Sequence, residues 1–350
     1  MELAAELEWS PAVKKTLIVG ATLLVAAALV VMLGTSWNFI EQKRLLAENP
    51  PPGQFFVVNG HSMHLDCSGT GRITIVAEAG SGEDSLTWTL LQRSLRDQLR
   101  FCSYDRAGMG WSEAKSTPRD ADAIAQELHT LLLAANERGP FVLLAHSLGG
   151  LYIRKFEQKY PSETTALIFL DAVTPATYTG TGSAALGLDE ASVEQRSGFR
   201  FLDWAEEVTG YARLLHQCSD VPAPLAAIHK LYEADQCIAS QDAEQRMEGQ
   251  AIEADLQELS SQPINIPVLI LSEDKSPTFQ TPQAIATWNQ LQSSMLTLSP
   301  QSYRVIASNS DHFLQIDCPT FATEEIRRFL QVDGASPPRQ YGTTTTLPCR

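Results

Sequence analysis

Leu144-Ala145-His146-Ser147-Leu148-Gly149-Gly150 joins a wholly apolar run, Phe141 to Leu144, to a helically spaced run that begins at Gly149 and stops before Pro161. A serine at a sharp strand-to-helix turn needs small residues two positions to either side. Ala145 and Gly149 meet that demand. Such a turn lifts the side chain of Ser147 clear of the sheet and points a helix N-terminus at whatever reacts there. Ser147 is therefore a candidate nucleophile. The plainer reading is an ordinary turn that happens to hold a serine, and the direct strand–turn–helix context favours the nucleophile.

Working outward, short apolar runs alternate with helical ones. Phe55-Phe56-Val57-Val58 and Met63-His64-Leu65-Asp66-Cys67 read as a hairpin about Asn59-Gly60. Ile73 to Ala77 and Arg100 to Tyr104 read as strands, with an amphipathic helix between them over Leu86 to Leu99. Asp120 to Ala135 is helical by its spacing, and Ala166 to Leu170 is again wholly apolar. This alternation predicts a mostly parallel sheet covered on both faces. It breaks between residues 173 and 262, which are polar and helical, and resumes with Pro267 to Leu271, Tyr303 to Ile306 and a last helix near Thr323 to Leu330. The expected organisation is an N-terminal segment (1–16), a transmembrane anchor (17–36), a linker (37–54) and a core in two parts (55–172 and 263–332). A helical cap (173–262) interrupts the core, and a Pro- and Thr-rich tail (333–350) is expected to be disordered.

Leu17 to Leu33 reads LIVGATLLVAAALVVML, without charge or proline. A membrane-spanning helix needs about 17 to 25 apolar residues, against about 7 to 15 for the core of a cleaved signal. An uncleaved single-pass anchor is expected, with Trp37 at the membrane interface. Lys14 and Lys15 lie tight against one end of the run and Lys43 and Arg44 lie further from the other. That bias places the N-terminus in the cytoplasm and the body outside it. The whole chain has a net charge of -15 and a sequence pI near 4.9, which argues against a nucleic-acid partner. Six cysteines permit disulfides in an exported body; Cys218 with Cys237 is the expected bridge, whereas Cys67 and Cys102 read as buried thiols. Without a CxxC pair, no structural zinc site is indicated.

Taken together these segments resemble the α/β-hydrolase superfamily over residues 55–331. The resemblance implies an eight-stranded, mostly parallel sheet flanked by helices. Glu78-Ala79-Gly80-Ser81-Gly82 stands where the family has its oxyanion loop, with Ala79 in place of a frequent histidine. The backbone N–H groups of Ser81 and Leu148 would hold the oxyanion. Tyr104 to Ser112 resembles the loop after the next strand, in which Asp105 and Arg106 read as structural. Of the seven histidines, His61 and His64 lie in the first hairpin, His129 in a helix, His146 beneath the turn, and His216 and His229 in the cap. His312 alone follows the last strand, where the family places its base. Two positions remain for the acid: Asp171 after the sixth strand, preferred, and Asp274 after the seventh, whose fit to the usual position is one residue off.

The implied chemistry is two-step acyl transfer on a carboxylic ester or related acyl substrate, with no metal or organic cofactor. Serine in place of aspartate at residue 147 argues against epoxide hydrolase chemistry. C–C bond hydrolase, thioesterase, amidase and haloperoxidase activities stay open, because a fold does not choose among them. The alternative from another class is a non-catalytic, membrane-tethered ligand-binding protein. Gly180, Gly182 and Gly187 would make the cap's entry flexible. Leu214, Leu215, Leu225, Ile228 and Leu231 would either line an apolar cavity for a hydrophobic ester or pack the cap on the core.

Overall fold

The parallel strands owe their position to side chains that are apolar on both faces. In β5 (Phe141–His146), Val142 and Leu144 pack into one core layer while Phe141, Leu143 and Ala145 pack into the other. β6 (Thr164–Leu170) and β7 (Val268–Glu273) divide in the same way: Ile168, Leu170, Leu269 and Leu271 face one side, and Leu167, Phe169, Val268 and Ile270 the other. Period-two alternation with both faces apolar requires helices on both sides of the sheet.

The computed structural model describes residues 10–115, 119–173, 175–178, 186, 208–215, 221–235, 239–259, 263–275, 281–332 and 334–349. Its sheet has nine strands in the order β1-β2-β4-β3-β5-β6-β7-β8-β9. β1 (Gln54–Val58), β2 (His61–Ser68) and β4 (Arg100–Tyr104) pair antiparallel in that sequence. From β4 through β3 (Thr74–Glu78) to β8 (Ser302–Ser308) and β9 (Thr344–Pro348) the pairing is parallel. α2 (Thr89–Leu95) and α10 (Pro319–Phe329) cover one face; α3 (Ala121–Ala134) and α4 (Gly149–Lys159) cover the other. α8 (Pro282–Ser294) and α9 (Leu314–Asp317) complete the core. α3 shows how locally this is decided: Asp120 caps its first turn, and Ile124, Ala125, Leu128, Leu131 and Leu132 form the buried stripe.

Three expectations are corrected. The tail carries β9, which makes nine strands instead of eight. Its Thr343-to-Thr346 run is β-branched, it lies along β8, and a disulfide from Cys349 to Cys318 fastens its end. The linker is mostly helix, since α1 runs unbroken from Pro11 to Glu48 and only the prolines after Asn49 end it. Cys67 and Cys102 form a disulfide; the antiparallel register of β2 and β4 sets them opposite each other, with Cα atoms 4.0 Å apart. Cys218, Cys237 and His216 lie outside the described residues, as do Gly180, Gly182 and Gly187.

The described cap contains α5 (Tyr211–Leu214), α6 (His229–Asp235) and α7 (Ala239–Glu258). Leu225 and Ile228 are buried against Leu86 and Ile316, while Leu214 and Leu215 are exposed. α7 is joined to the core through charge. Glu248 accepts from Arg106 at 2.7 and 3.1 Å, Glu244 pairs with Arg119 at 3.1 Å, and Asp255 accepts the Ala121 amide at 2.6 Å. These acids recur at helical spacing, so one face of α7 is a carboxylate stripe meeting two buried arginines.

Candidate active site

Ser147 stands between β5 and α4 with φ +49°, a backbone conformation that is costly for a residue with a side chain and is held here by its surroundings. Its amide donates to Leu170 O at 3.3 Å, and its carbonyl accepts from Gly150 and Val173. The small residues are required by close approach. A Cβ on Gly149 would meet the carbonyl oxygens of Glu78 and Ala79, each at 2.7 Å, and one on Gly150 would meet Val173 O at 2.6 Å.

Ser147, His312 and Asp171 are brought together. His312 Nδ1 donates to Asp171 Oδ2 at 2.6 Å, and Ser147 Oγ lies 3.1 Å from His312 Nε2. A hydrogen held on Nδ1 by the carboxylate leaves Nε2 bare to accept from the serine hydroxyl. Asp171 is fully buried, and its other oxygen accepts from Trp288 Nε1 at 2.9 Å and the Glu273 amide at 3.3 Å. Burial works against a charge on His312, but the hydrogen bond and charge of Asp171 outweigh it. The imidazole is raised from 6.5 to about 9. Asp274 is not brought to this histidine; its carboxylate accepts the Asn309 amide at 2.7 Å.

Gly80 lies against Ser147, since a Cβ there would come within 3.0 Å of Ser147 Cβ. The Gly80 amide is committed to Glu83 Oε2 at 3.1 Å, and its carbonyl accepts from Arg106 Nη2 at 2.7 Å. Ser81 supplies the next amide along the loop, and its hydroxyl accepts from Gln245 of the cap at 3.2 Å. Leu148 is the residue before α4 and begins its first turn. Asp105 and Arg106 brace these loops. Asp105 accepts from the amides of Ser85 and Trp111 and from His64, whereas Arg106 holds Ala79 O, Gly80 O and Glu78 as well as Glu248.

Sequence reasoning missed Glu83. Its carboxylate bonds His146 Nδ1 at 2.6 Å, and His146 Nε2 donates to the carbonyl of His312 at 2.9 Å. Burial disfavours charge on Glu83, but the neighbouring His146 imidazole and the Gly80 amide outweigh it and hold its carboxyl below the ordinary glutamate range. A lone acid after a glycine-rich turn carries no spacing signal that would have singled it out. Trp288, deep in α8, gave none either. Asp171, Glu273 and His312 each place a ligand atom within 4.8 Å of the others, a spacing open to a cation, but the imidazole nitrogen on that side is occupied by its short bond to Asp171. Beside the site a cavity of about 170 Å³ is lined by Glu83, Thr87, Leu225, Tyr232, Phe313 and Ile316 among others.

The sequence profile of the alpha/beta hydrolase fold family matches residues 74–319. The chain belongs to this family. Among curated proteins, this α/β hydrolase is 29% identical over 269 residues to the uncharacterized protein YqjL of Bacillus subtilis (strain 168), covering 75% of this chain and 86% of that one. Among solved structures it is similar to a thermophilic esterase from Thermogutta terrifontis (TM-score 0.57, 19% identity, 80% of this chain and 98% of that one). It is also similar to an epoxide hydrolase from Bacillus megaterium (TM-score 0.62, 18% identity, 79% of this chain and 100% of that one). At those identities the structural likeness establishes the hydrolase fold of this α/β hydrolase and leaves its substrate to the residues of its own site.

Proposed function

We propose that this α/β hydrolase cleaves carboxylic esters by two-step acyl transfer. Ser147 is the nucleophile, His312 the general base and then acid, and Asp171 the group that orients and stabilises the imidazole. The amides of Ser81 and Leu148 hold the oxyanion. The observation that carries this reading is the continuous run Ser147 Oγ–His312–Asp171 at 3.1 and 2.6 Å. His312 takes the serine proton as Oγ bonds the acyl carbon, and returns it to the leaving alcohol as the C–O bond breaks. Water activated by the same imidazole then attacks the acyl-enzyme, which releases the acid and restores Ser147.

The serine at the elbow separates this reading from the epoxide hydrolases among its structural neighbours. Opening an epoxide by covalent catalysis needs a carboxylate at that position. A purely ligand-binding protein would have no use for a buried carboxylate aligned on an imidazole that in turn meets a hydroxyl. The cavity lining of Leu225, Tyr232, Phe313 and Ile316 supports an acyl group of apolar character.

α1 serves as a single-pass anchor in this reading. Among the described residues it alone is long and apolar enough to cross a membrane, with a mean hydropathy of 2.7 in its most apolar window and none of that window buried. The Cys67–Cys102 and Cys318–Cys349 disulfides support a body on the oxidising side. The test is turnover of p-nitrophenyl esters of increasing acyl length beside an aryl epoxide, with Asp171→Asn as the control. Ester turnover that collapses in the variant supports the proposal. Epoxide opening without ester turnover overturns it.

A further inference from the structure

α1 changes character at Gly34. Before it, the apolar side chains are exposed all round; after it, one face is covered by the cap. A Cβ on Gly34 would meet the Thr209 carbonyl at 2.8 Å, and one on Gly210 would meet Asn38 Cβ at 2.8 Å. Arg213 donates to Asn38 Oδ1 at 3.1 Å and also to Gln42, and Gln42 Nε2 donates to Ala234 O at 2.6 Å. Leu45 is buried on the same side. Positions 34, 38, 42 and 45 form one helical face, so α5 and α6 are moored to the helix without an intervening hinge.

The mooring fixes the depth of α5. The apolar character of α1 runs out at Ile40, and Glu41, Gln42, Lys43 and Arg44 follow. Residues 209–213 are bound to positions 34–42 of α1, at the level where that helix leaves its apolar stretch. Arg213 turns inward there, while Tyr211, Leu214 and Leu215 turn out and are 47, 64 and 49% exposed. Trp37, Phe39 and Ile40 are exposed on α1 at the same level. Six large apolar side chains on two clamped elements, exposed at one level at the end of a membrane-length helix, are placed to meet the headgroup–acyl boundary of the bilayer.

We infer that α5 is a membrane-seating element: the cap rides on the bilayer that α1 spans, and the substrate is an acyl ester carried in that bilayer. α6 links the two ends of this arrangement. Its Ala234 carbonyl is bonded to α1, while Tyr232, two residues and about 200° away around the helix, lines the cavity beside Glu83 and Phe313. The inference rests on the anchor and on the ester-hydrolase reading.

The test uses the full chain in phosphatidylcholine vesicles. A nitroxide attached at Leu214→Cys is compared with one at Leu133→Cys, an exposed position on α3 of the core. Collisions with oxygen should dominate at 214, and collisions with a water-soluble nickel chelate at 133. In the same vesicles, Leu214→Gln/Leu215→Gln should lower turnover of a long-chain ester by about fivefold or more, while a short soluble ester changes by less than about twofold. A label at 214 that behaves like the one at 133 overturns the inference, as does an unchanged rate on the bilayer-borne ester. Extraction of the wild type by alkaline carbonate would remove the anchor and overturn the inference with it. A wild type that turns over no ester would sink the hydrolase reading and the substrate class together, and the nitroxide comparison would still decide the seating of the cap.

Discussion

His146 Nε2 donates to the main-chain carbonyl of His312 at 2.9 Å, so the residue before Ser147 holds the loop that carries His312. The opposite ring nitrogen bonds Glu83, which in turn fixes the Gly80 amide. One chain of hydrogen bonds thus spans the Gly80 loop, the turn at Ser147 and the loop of His312. Replacing Glu83 by Gln keeps the shape and removes the charge that faces His146. The expected result is a loss of about tenfold in the rate of serine acylation with little change in KM, since loops shifted by fractions of an ångström misalign the attack. A stopped-flow acylation assay checks it, and rescue by Glu83→Asp would separate lost charge from lost packing.

The raised His312 sets a pH dependence with a definite sign. In the proposed mechanism His312 works neutral, so acylation should climb about tenfold per pH unit below the plateau and level off above pH 9. Asp171→Asn should move that limb to lower pH and reduce the plateau by about a thousandfold or more. Asp274→Asn should leave both in place, because its carboxylate serves the Asn309 amide. The raised value also stabilises the fold below pH 6.5, a contribution that disappears as pH rises through about 9. Rate–pH profiles of the three proteins decide between the two acids.

The joint between cap and core is a buried ion pair, and such pairs are costly to break from one side. Glu248→Ala removes one of the two buried carboxylates that face the Arg106 guanidinium and leaves it with Glu78 alone, at a cost of about 3 kcal/mol. Arg106 also carries the Ala79 and Gly80 carbonyls, so activity should fall more than the folded fraction does. Urea titration together with limited proteolysis of the cap measures both.

The C-terminal strand depends on one covalent tether. Cys349→Ser opens a loop of 31 residues and should cost about 3–4 kcal/mol. It should also expose the amides of residues 344–348 to hydrogen exchange while those of β7 stay protected. Exchange rates in the variant and the wild type report this strand by strand.

Much of this arrangement was legible in the residues. The wholly apolar runs at Phe141 and Ala166 announced a parallel sheet, and the small residues around Ser147 announced the strained turn. The end of the sixth strand is a short list of positions, and Asp171, the one that bonds His312, stands on it. What escaped depends on contacts between distant segments. Cys67 and Cys102 meet only because β2 and β4 are neighbours across a crossover. The Thr343-to-Thr346 run becomes a strand because β8 offers it an edge and Cys318 a tether. Glu83 and Trp288 act through partners 63 and 117 residues away, and no local pattern marks them.

The most direct measurement is labelling of the detergent-solubilised full chain with a fluorophosphonate, beside Ser147→Ala and His312→Ala. A wild type that takes one covalent label, lost in both variants while their folding is unchanged, is the predicted result. A folded wild type that takes no label, or one whose label survives Ser147→Ala, would contradict the assignment of Ser147 as the activated nucleophile.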